Sequence, residues 1–430
     1  MAGNYHPPEN ETGKGVFARK SSLWKNTHQA LRNRYGNALP VEILNRYLSE
    51  FAEFQATDLI VCFDLLSQIK REAAHLGEHI RVKGATGASF VAYILGATEI
   101  NPLKPHYFCP HCRRVEFEGT ALCGWDLPFK RCACGSEYQR DGHHLPFETL
   151  RPSTHGNVHF DLSVSHRFHQ TVKKIIYEYF EGNPVVTLIR KGRPNLETLV
   201  IVNEESLHMI NGAELPFEEY YDRLRQYTTI TLVMDNDLDA LRILEKETMT
   251  SFEQIDFACP DVLEAFQKGN TAGIPEFRSG FYQDMADEVS PATFHEFIQL
   301  PGLAHGTGVW FDNAQILIQH GKPVSDVIAY RDDVFHYIQK KMERKHVDHT
   351  GFAYKIMEDT SRGVYAKGGI SDELINQFSI LGIEDWFAES IQKIRYLFPR
   401  AHGVLYVKYA LILMWYKQNH PGTFHKLFKE

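Results

Sequence analysis

Five of the seven cysteines fall inside residues 109–134, as "CPHC" at 109–112 and "CAC" at 132–134 with Cys123 between them. A turn within each pair lets both sulfurs face inward, so Cys109, Cys112, Cys132 and Cys134 can converge on one tetrahedral ion. Zinc is the metal that thiolates so spaced ordinarily take. That arrangement would organise residues 107–138 as a small zinc ribbon. Four thiolates leave no open coordination position, which makes the metal structural rather than catalytic. The second pair is one residue shorter than the usual knuckle, so the competing reading is a set of reduced cysteines that no longer closes on a metal. Cysteines confined to one segment fit a reducing compartment better than a disulfide framework. With no apolar core in the start "MAGNYHPPENETGKG" and no run of roughly 18 apolar residues, a cytoplasmic protein with no membrane span is expected.

The stretch "GNVHFDLSVSHRFHQ" at 156–170 alternates apolar and polar side chains as a half-buried strand does. Residues two apart on a strand share a face, so His159 and Asp161 should project together. One carboxylate then stands where two-metal phosphoryl transfer wants two. Earlier in the chain, "KGATGASF" has the glycines of a phosphate cradle: Gly84 and Gly87 permit close backbone approach, Lys83 adds charge, and Ser89 opens a helix. The bland alternative is a tight helix entry. Around these segments the chain divides into a loose arm at 1–22, a helical part at 23–77, one α/β unit at 78–240 and an almost wholly helical part at 241–430. A formal charge of −8 argues against strong duplex DNA binding, which rests on neutralising phosphates. "DNDLDA" at 235–240 lacks the central glycine and closing glutamate of a calcium loop and reads as a helix N-terminus. His166 and His169 around Arg167 form either a basic edge or an ordinary helix start.

Taken in order, "RVKGATGASFVAYILGATEINPLKPHYFCPHC", "GWDLPFKRCACGS", "DGHHLPFETL" and "VHFDLSV" resemble the palm of the PolC-type DNA polymerase III alpha subunit, the bacterial C-family replicative polymerase. "NTAGIPEF", "LPGLAHGTGVWFDNAQ", "AYRDDVFHYI" and "IRYLFPRAHGVLYVKYA" resemble its fingers, and the likeness runs from about Asn26 onward. The resemblance implies an α/β palm of the polymerase beta-like nucleotidyltransferase type with an inserted zinc ribbon, followed by a mostly α-helical fingers domain. It also implies two strand aspartates, here His159 and Asp161, and a third carboxylate from a later strand, which falls at Glu218 or at Glu219. In the phosphate turn Lys83 takes the place of an arginine, Ala85 and Ala88 stand where the family has serines, and only Ser89 is kept. Arg400 and His402 in "FPRAH" fall where the family presents a basic residue and a histidine to the nucleotide. The thumb should be reduced to a helix and a turn at 166–196, and the upstream exonuclease and OB modules and the downstream duplex- and clamp-binding modules are expected to be missing.

Magnesium prefers oxygen ligands in near-octahedral geometry, and imidazole is a poor substitute. The expectation is therefore a catalytically degenerate PolC-like scaffold that binds a nucleotide, a nucleic-acid end or a protein partner. The alternative is a nucleotidyltransferase acting on a small acceptor, in which His159, Asp161 and Glu218 hold magnesium or a softer ion such as manganese or zinc, or in which His159 serves as a general base.

Overall fold

The computed structural model describes residues 20–55, 57–150, 159–181, 185–189, 195–201, 227–345 and 350–428. Apolar residues three and four apart build the first three helices, α1 (Lys20–Tyr35), α2 (Val41–Phe54) and α3 (Leu59–Leu76). Helix α3 is nearly surrounded: Leu59, Ile60, Val61, Phe63, Leu65 and Ile69 are fully buried, and Gly77 ends it in the left-handed conformation. The expected helical part at 23–77 is thus three separate helices packed on a sheet.

That sheet has the order β1-β5-β8-β7-β6. Its strands are β1 (Ile80–Val82), β5 (His159–Val164), β6 (Val185–Ile189), β7 (Leu196–Ile201) and β8 (Thr228–Met234). β5 and β8 run parallel at its centre, and the other pairs are antiparallel. Phe160, Leu162, Ile230 and Leu232 point to one side and join the core beneath α3. The opposite side carries polar residues on β5 and β8, among them His159, Asp161, Thr229 and Thr231, and the buried apolar residues Val186, Leu188 and Val200 on β6 and β7. A helix α4 (Phe90–Ile94) and a smaller sheet, β3-β2-β4, lie between β1 and β5, with β2 at His106–Phe108, β3 at Val115–Phe117 and β4 at Gln139–Asp141.

The segment expected to hold a thumb stub is built differently. After α5 (His169–Tyr179) the chain enters β6, which pairs with β7 from Val185↔Ile201 to Ile189↔Glu197. Within 166–196, residues 185–189 are therefore an edge strand of the main sheet, where Val186 and Leu188 are buried.

Helices then follow almost without interruption: α6 (Asn236–Thr248), α7 (Pro260–Gln267), α8 (Gly280–Val289), α9 (Phe294–His305), α10 (Gln315–Gln319), α11 (Arg331–Glu343), α12 (Thr350–Ser361), α13 (Val364–Gly368), α14 (Asp372–Leu381), α15 (Asp385–Lys393), α16 (Arg400–Asn419) and α17 (Pro421–Leu427). Their core is one cluster centred on α9 and α16. Specific hydrogen bonds tie it to the α/β unit. Asp126 accepts from the free amides of Phe294 (2.7 Å) and His295 (3.0 Å) at the start of α9, and Tyr409 donates to the Ile80 carbonyl (3.2 Å). Arg331 also donates to the Thr149 carbonyl. Among the described residues no helix is long and apolar enough to cross a membrane.

Candidate functional site

The face opposite the α3 core carries the strand residues singled out by period two. His159 and Asp161 are both exposed on it, while Phe160 and Leu162 between and after them are buried. Register sets their neighbours: Thr229 lies beside His159 and Thr231 beside Asp161. The His159 Nδ1 is 2.7 Å from the Thr229 hydroxyl, and Thr231 hydrogen-bonds Asp161. A further hydroxyl, that of Thr198 on β7, lies 3.1 Å from the Thr231 hydroxyl. Part of Asp161 stays open to solvent, yet the protein crowded around its carboxyl raises its pKa, against the opposing pull of the Lys83 ammonium and the Thr231 hydroxyl. The adjoining strand thus offers hydroxyls to this face. Glu218 and Glu219 lie outside the described residues.

Lys83 is delivered to the same place by the β1 edge, because its amide donates to the Asp161 carbonyl (2.8 Å) one step past the β1–β5 ladder. Its Nζ sits 5.7 Å from the centre of the Tyr406 ring. Burial, and then the Arg81 guanidinium, hold its pKa below the usual lysine range, with Asp235, Glu276 and Asp161 opposing. Gly84, at φ +74°, donates its amide to His402 Nδ1 at 3.1 Å. That bond requires an unprotonated nitrogen, and burial, followed by the Lys83 charge, pushes His402 down to about 3. Gly87 is a packing glycine: a Cβ there would lie 3.0 Å from Ile100 Cβ and 3.1 Å from Ala401 Cβ. The turn is therefore docked on α16.

Two residues expected at the phosphate cradle are engaged elsewhere. The Ser89 hydroxyl caps α4 by accepting from Ala92 N (3.1 Å) and donates to Glu50 (2.7 Å). The same buried Glu50 carboxylate accepts from the amides of Phe90 (2.8 Å) and Val91 (3.0 Å) and from Arg46 Nε (2.6 Å). An internal carboxylate already occupies the helix start that was read as an anion cradle. Arg400 is buried as well. Its guanidinium pairs with Asp333 and lies over Tyr330, while its amide donates to Asp332 (2.8 Å). It joins the starts of α11 and α16 rather than reaching the turn beside His402.

Sequence reasoning missed several groups that line this region. Arg81, opposite Ser163 in the ladder, forms a buried ion pair with Asp235. Burial would raise the Asp235 carboxyl, but Arg81 and Lys83 beside it prevail and hold it below the ordinary range. Asp235 also caps α6 by accepting from Asp237 N (3.1 Å), so the helix-start reading of "DNDLDA" describes the backbone while omitting the arginine. Glu276 meets His305 at 3.1 Å. Of the basic edge after β5, His166 is held by Asp239 (3.0 Å) and Arg167 lies 3.6 Å from Glu78.

The four cysteines do converge. The sulfurs of Cys109, Cys112, Cys132 and Cys134 all lie within 4.8 Å of one another, with Cys109 to Cys134 at 3.5 Å and Cys112 to Cys132 at 3.4 Å. A zinc tetrahedron with bonds of about 2.3 Å has edges of about 3.8 Å, so the donor set fits such an ion. Backbone turns make it close: Arg113 N donates to Cys109 O (2.9 Å), and Gly135 N to Cys132 O (2.8 Å). Gly135 adopts φ +89°, which lets the shortened second pair fold back. Cys123 stands apart, buried 3.5 Å from His143 Nδ1, with its thiol pKa raised by burial. Among the described residues these four form the only group of three or more metal-ligating side chains so close together.

Comparison with known proteins adds ancestry. Residues 21–194 match the family model described as the bacterial DNA polymerase III alpha NTPase domain, and residues 232–361 match the bacterial DNA polymerase III alpha subunit finger domain. The chain is similar to the DNA polymerase III PolC-type of Caldanaerobacter subterraneus subsp. tengcongensis, 27% identical over 495 aligned positions that take in 98% of this chain and 34% of that protein. It is 29% identical to the PolC-type enzyme of Streptococcus thermophilus over 467 positions, 90% of this chain and 31% of the relative. The protein of the same name from Thermotoga petrophila is 27% identical over 98% of the chain and 35% of the relative. The chain spans about a third of the length of these curated relatives.

Proposed function

The chain belongs to the bacterial DNA polymerase III alpha family, and from that premise we propose that it is a catalytically degenerate PolC-like protein, retained as a scaffold for a nucleotide, a nucleic-acid end or a protein partner. One observation carries this reading: beside Asp161, where two-metal transfer wants a second carboxylate, stands the His159 imidazole, bonded to Thr229. The positive charge of Lys83, which acts on the Asp161 carboxyl, supports it further, because it would repel a divalent ion there. In this reading the stretch between β5 and β7, which among the described residues carries α5 and β6, is too short for a thumb that grips a duplex. In this reading Cys109, Cys112, Cys132 and Cys134 hold a structural zinc that pins β2 and the two turns around it, and the protein works in the cytoplasm.

The strand face shared by His159 and Asp161 favours one competing reading, a nucleotidyl transfer supported by manganese or another transition metal that accepts imidazole. Primer extension on a standard template, with magnesium and then manganese, tests templated synthesis, and pyrophosphate release from a nucleoside triphosphate with manganese and a small acceptor alcohol tests the competing reading. No extension is expected with either ion. Templated extension that Asp161→Ala abolishes would overturn the scaffold reading. Calorimetry of His159→Asp adds a second measure: restoring two carboxylates on one strand face should tighten divalent-ion binding without restoring synthesis.

A further inference from the structure

The second cysteine knuckle is one residue shorter than usual, and that departure decides what its sulfurs do besides hold a metal. Of the four, Cys112 and Cys134 are exposed, while Cys109 and Cys132 are buried. The sulfurs meet across the two knuckles: Cys134 lies 3.5 Å from Cys109, and Cys112 lies 3.4 Å from Cys132. Each of these contacts joins a sulfur that solvent reaches to one that it does not. The buried members belong to a small core with Tyr107, Leu127 and Tyr138. A core of that size needs a staple, and here the staple is whatever joins the four sulfurs.

Oxidation supplies a staple of a different kind. Two cysteines in the spacing of "CPHC" have room to close on each other, but in "CAC" a single residue separates them. An S–S bond demands a narrow range of Cβ separations, and neighbours two apart reach it only by turning their Cβ vectors toward each other against the backbone. The backbone of this knuckle is already committed. Cys132 N donates to Ser136 O (2.8 Å), Gly135 N donates to Cys132 O (2.8 Å), and Gly135 sits at φ +89°. In that turn both sulfurs face the first knuckle, so Cys134 has Cys109 for a partner and Cys132 has Cys112.

We propose that the four cysteines are also an oxidation site: a hydroperoxide oxidises the exposed Cys112 and Cys134, and the buried Cys132 and Cys109 resolve them into two disulfides across the knuckles, which keep the ribbon folded while the metal leaves. The exposed thiolate attacks one peroxide oxygen and the O–O bond breaks, giving a sulfenic acid and a hydroxide that solvent protonates to water. The buried thiolate then attacks the sulfenic sulfur, the S–S bond forms, and a second hydroxide leaves and is protonated likewise. Two sulfurs are oxidised and both peroxide oxygens end as water. With no thiolate left to bind it, the ion departs as Zn²⁺. Cys123, buried beside His143 at 3.5 Å, and the buried Cys62 take no part. The proposal rests on the structural zinc of the reading above and adds a chemistry to its ligands.

The test treats the zinc-loaded full chain with hydrogen peroxide, blocks the remaining thiols by alkylation and digests with trypsin without reductant. Arg113 and Arg114 follow the first knuckle, and Lys130 and Arg131 precede the second, so trypsin separates the two. Disulfides across the knuckles leave the two peptides joined in one species that dithiothreitol splits; disulfides within them leave the peptides apart. The joined species is expected, with about one zinc released for about two peroxides consumed, and with Cys62 and Cys123 recovered as thiols. Hydrogen exchange over residues 107–138 should stay slow in the oxidised protein and become fast when a chelator removes the zinc under reductant. Separate peptides, or fast exchange after oxidation, overturn the proposal. Metal analysis of the untreated protein decides the zinc by itself: a chain without zinc refutes the structural-metal reading, whereas separate peptides from a zinc-bearing chain refute only the oxidation site.

Discussion

Glu50 offers a decisive perturbation, because one buried carboxylate holds together three stretches of chain. It accepts from Ser89, Phe90 and Val91 at 2.7, 2.8 and 3.0 Å and pairs with Arg46, whose other nitrogens donate to the carbonyls of Ala88 (2.6 Å) and Leu145 (2.9 Å). Glu50→Ala leaves two amides and a hydroxyl without acceptors inside the protein and strands the guanidinium. Each orphaned buried group costs about 1–3 kcal/mol, and breaking a buried pair from one side costs about 3–5 kcal/mol. These losses overlap, since the same carboxylate serves all of them, so the expected destabilisation is about 4 kcal/mol. Glu50→Gln keeps one acceptor oxygen but turns an NH2 group toward amide donors, and about half that loss is expected. Urea unfolding read by tryptophan fluorescence suits the measurement, because Trp24 packs on Phe51 of the same helix, at 4.7 Å between ring centres. With a slope near 3 kcal/mol/M the alanine variant's midpoint should fall by more than about 1 M. A loss under about 1 kcal/mol would refute the reasoning and return the start of α4 to the status of an open anion cradle.

Purified protein should carry about one zinc per chain, and Cys112→Ser should release it and lower stability; metal analysis that finds no zinc rejects the ribbon. Acid should act through His295, which burial, followed by Arg400 and His143, pushes down to about 2. Because its folded pKa lies below the unfolded value near 6.5, the stability it contributes is complete above that pH and is lost as pH falls toward 2. Between pH 7 and pH 5 that loss is about 2 kcal/mol, so His295→Phe should lose about 2 kcal/mol less than the parent over the same interval. Equal pH dependence in urea unfolding would refute it.

The parts of the fold legible in the sequence are those whose cause is local. Alternation at 159–164 is visible because one face of β5 meets the core and the other does not. The cysteine pairs are visible because ligand spacing is a property of adjacent turns. β6 is legible only in part, for the opposite reason: the stretch from Val185 onward is β-rich, but the place of "VVTLI" at the sheet edge comes from pairing with β7, as in Val186↔Val200. The split of the first helical part into α1, α2 and α3 was also less visible than its helicity, since apolar spacing continues smoothly across Gln55 and Asp58.

The candidate site exposes a deeper limit of motif reading. Amides at a helix start donate to any anion, so "KGATGASF" carries the same local signal whether the anion is a ligand's phosphate or the protein's own carboxylate. What decides between them is Glu50, which lies 39 positions before Ser89 and has no part in the motif. Arg81 and Asp235 illustrate the same point at a separation of 154 residues, and Gly84 with His402 at 318. In each case one partner stood in a recognisable motif while the other determined its chemistry. The consequence for Lys83 is specific. Its turn is fastened on both sides, by Glu50 at the start of α4 and by His402 on α16, so the Lys83 backbone is held against Asp161 by contacts that involve no ligand at all.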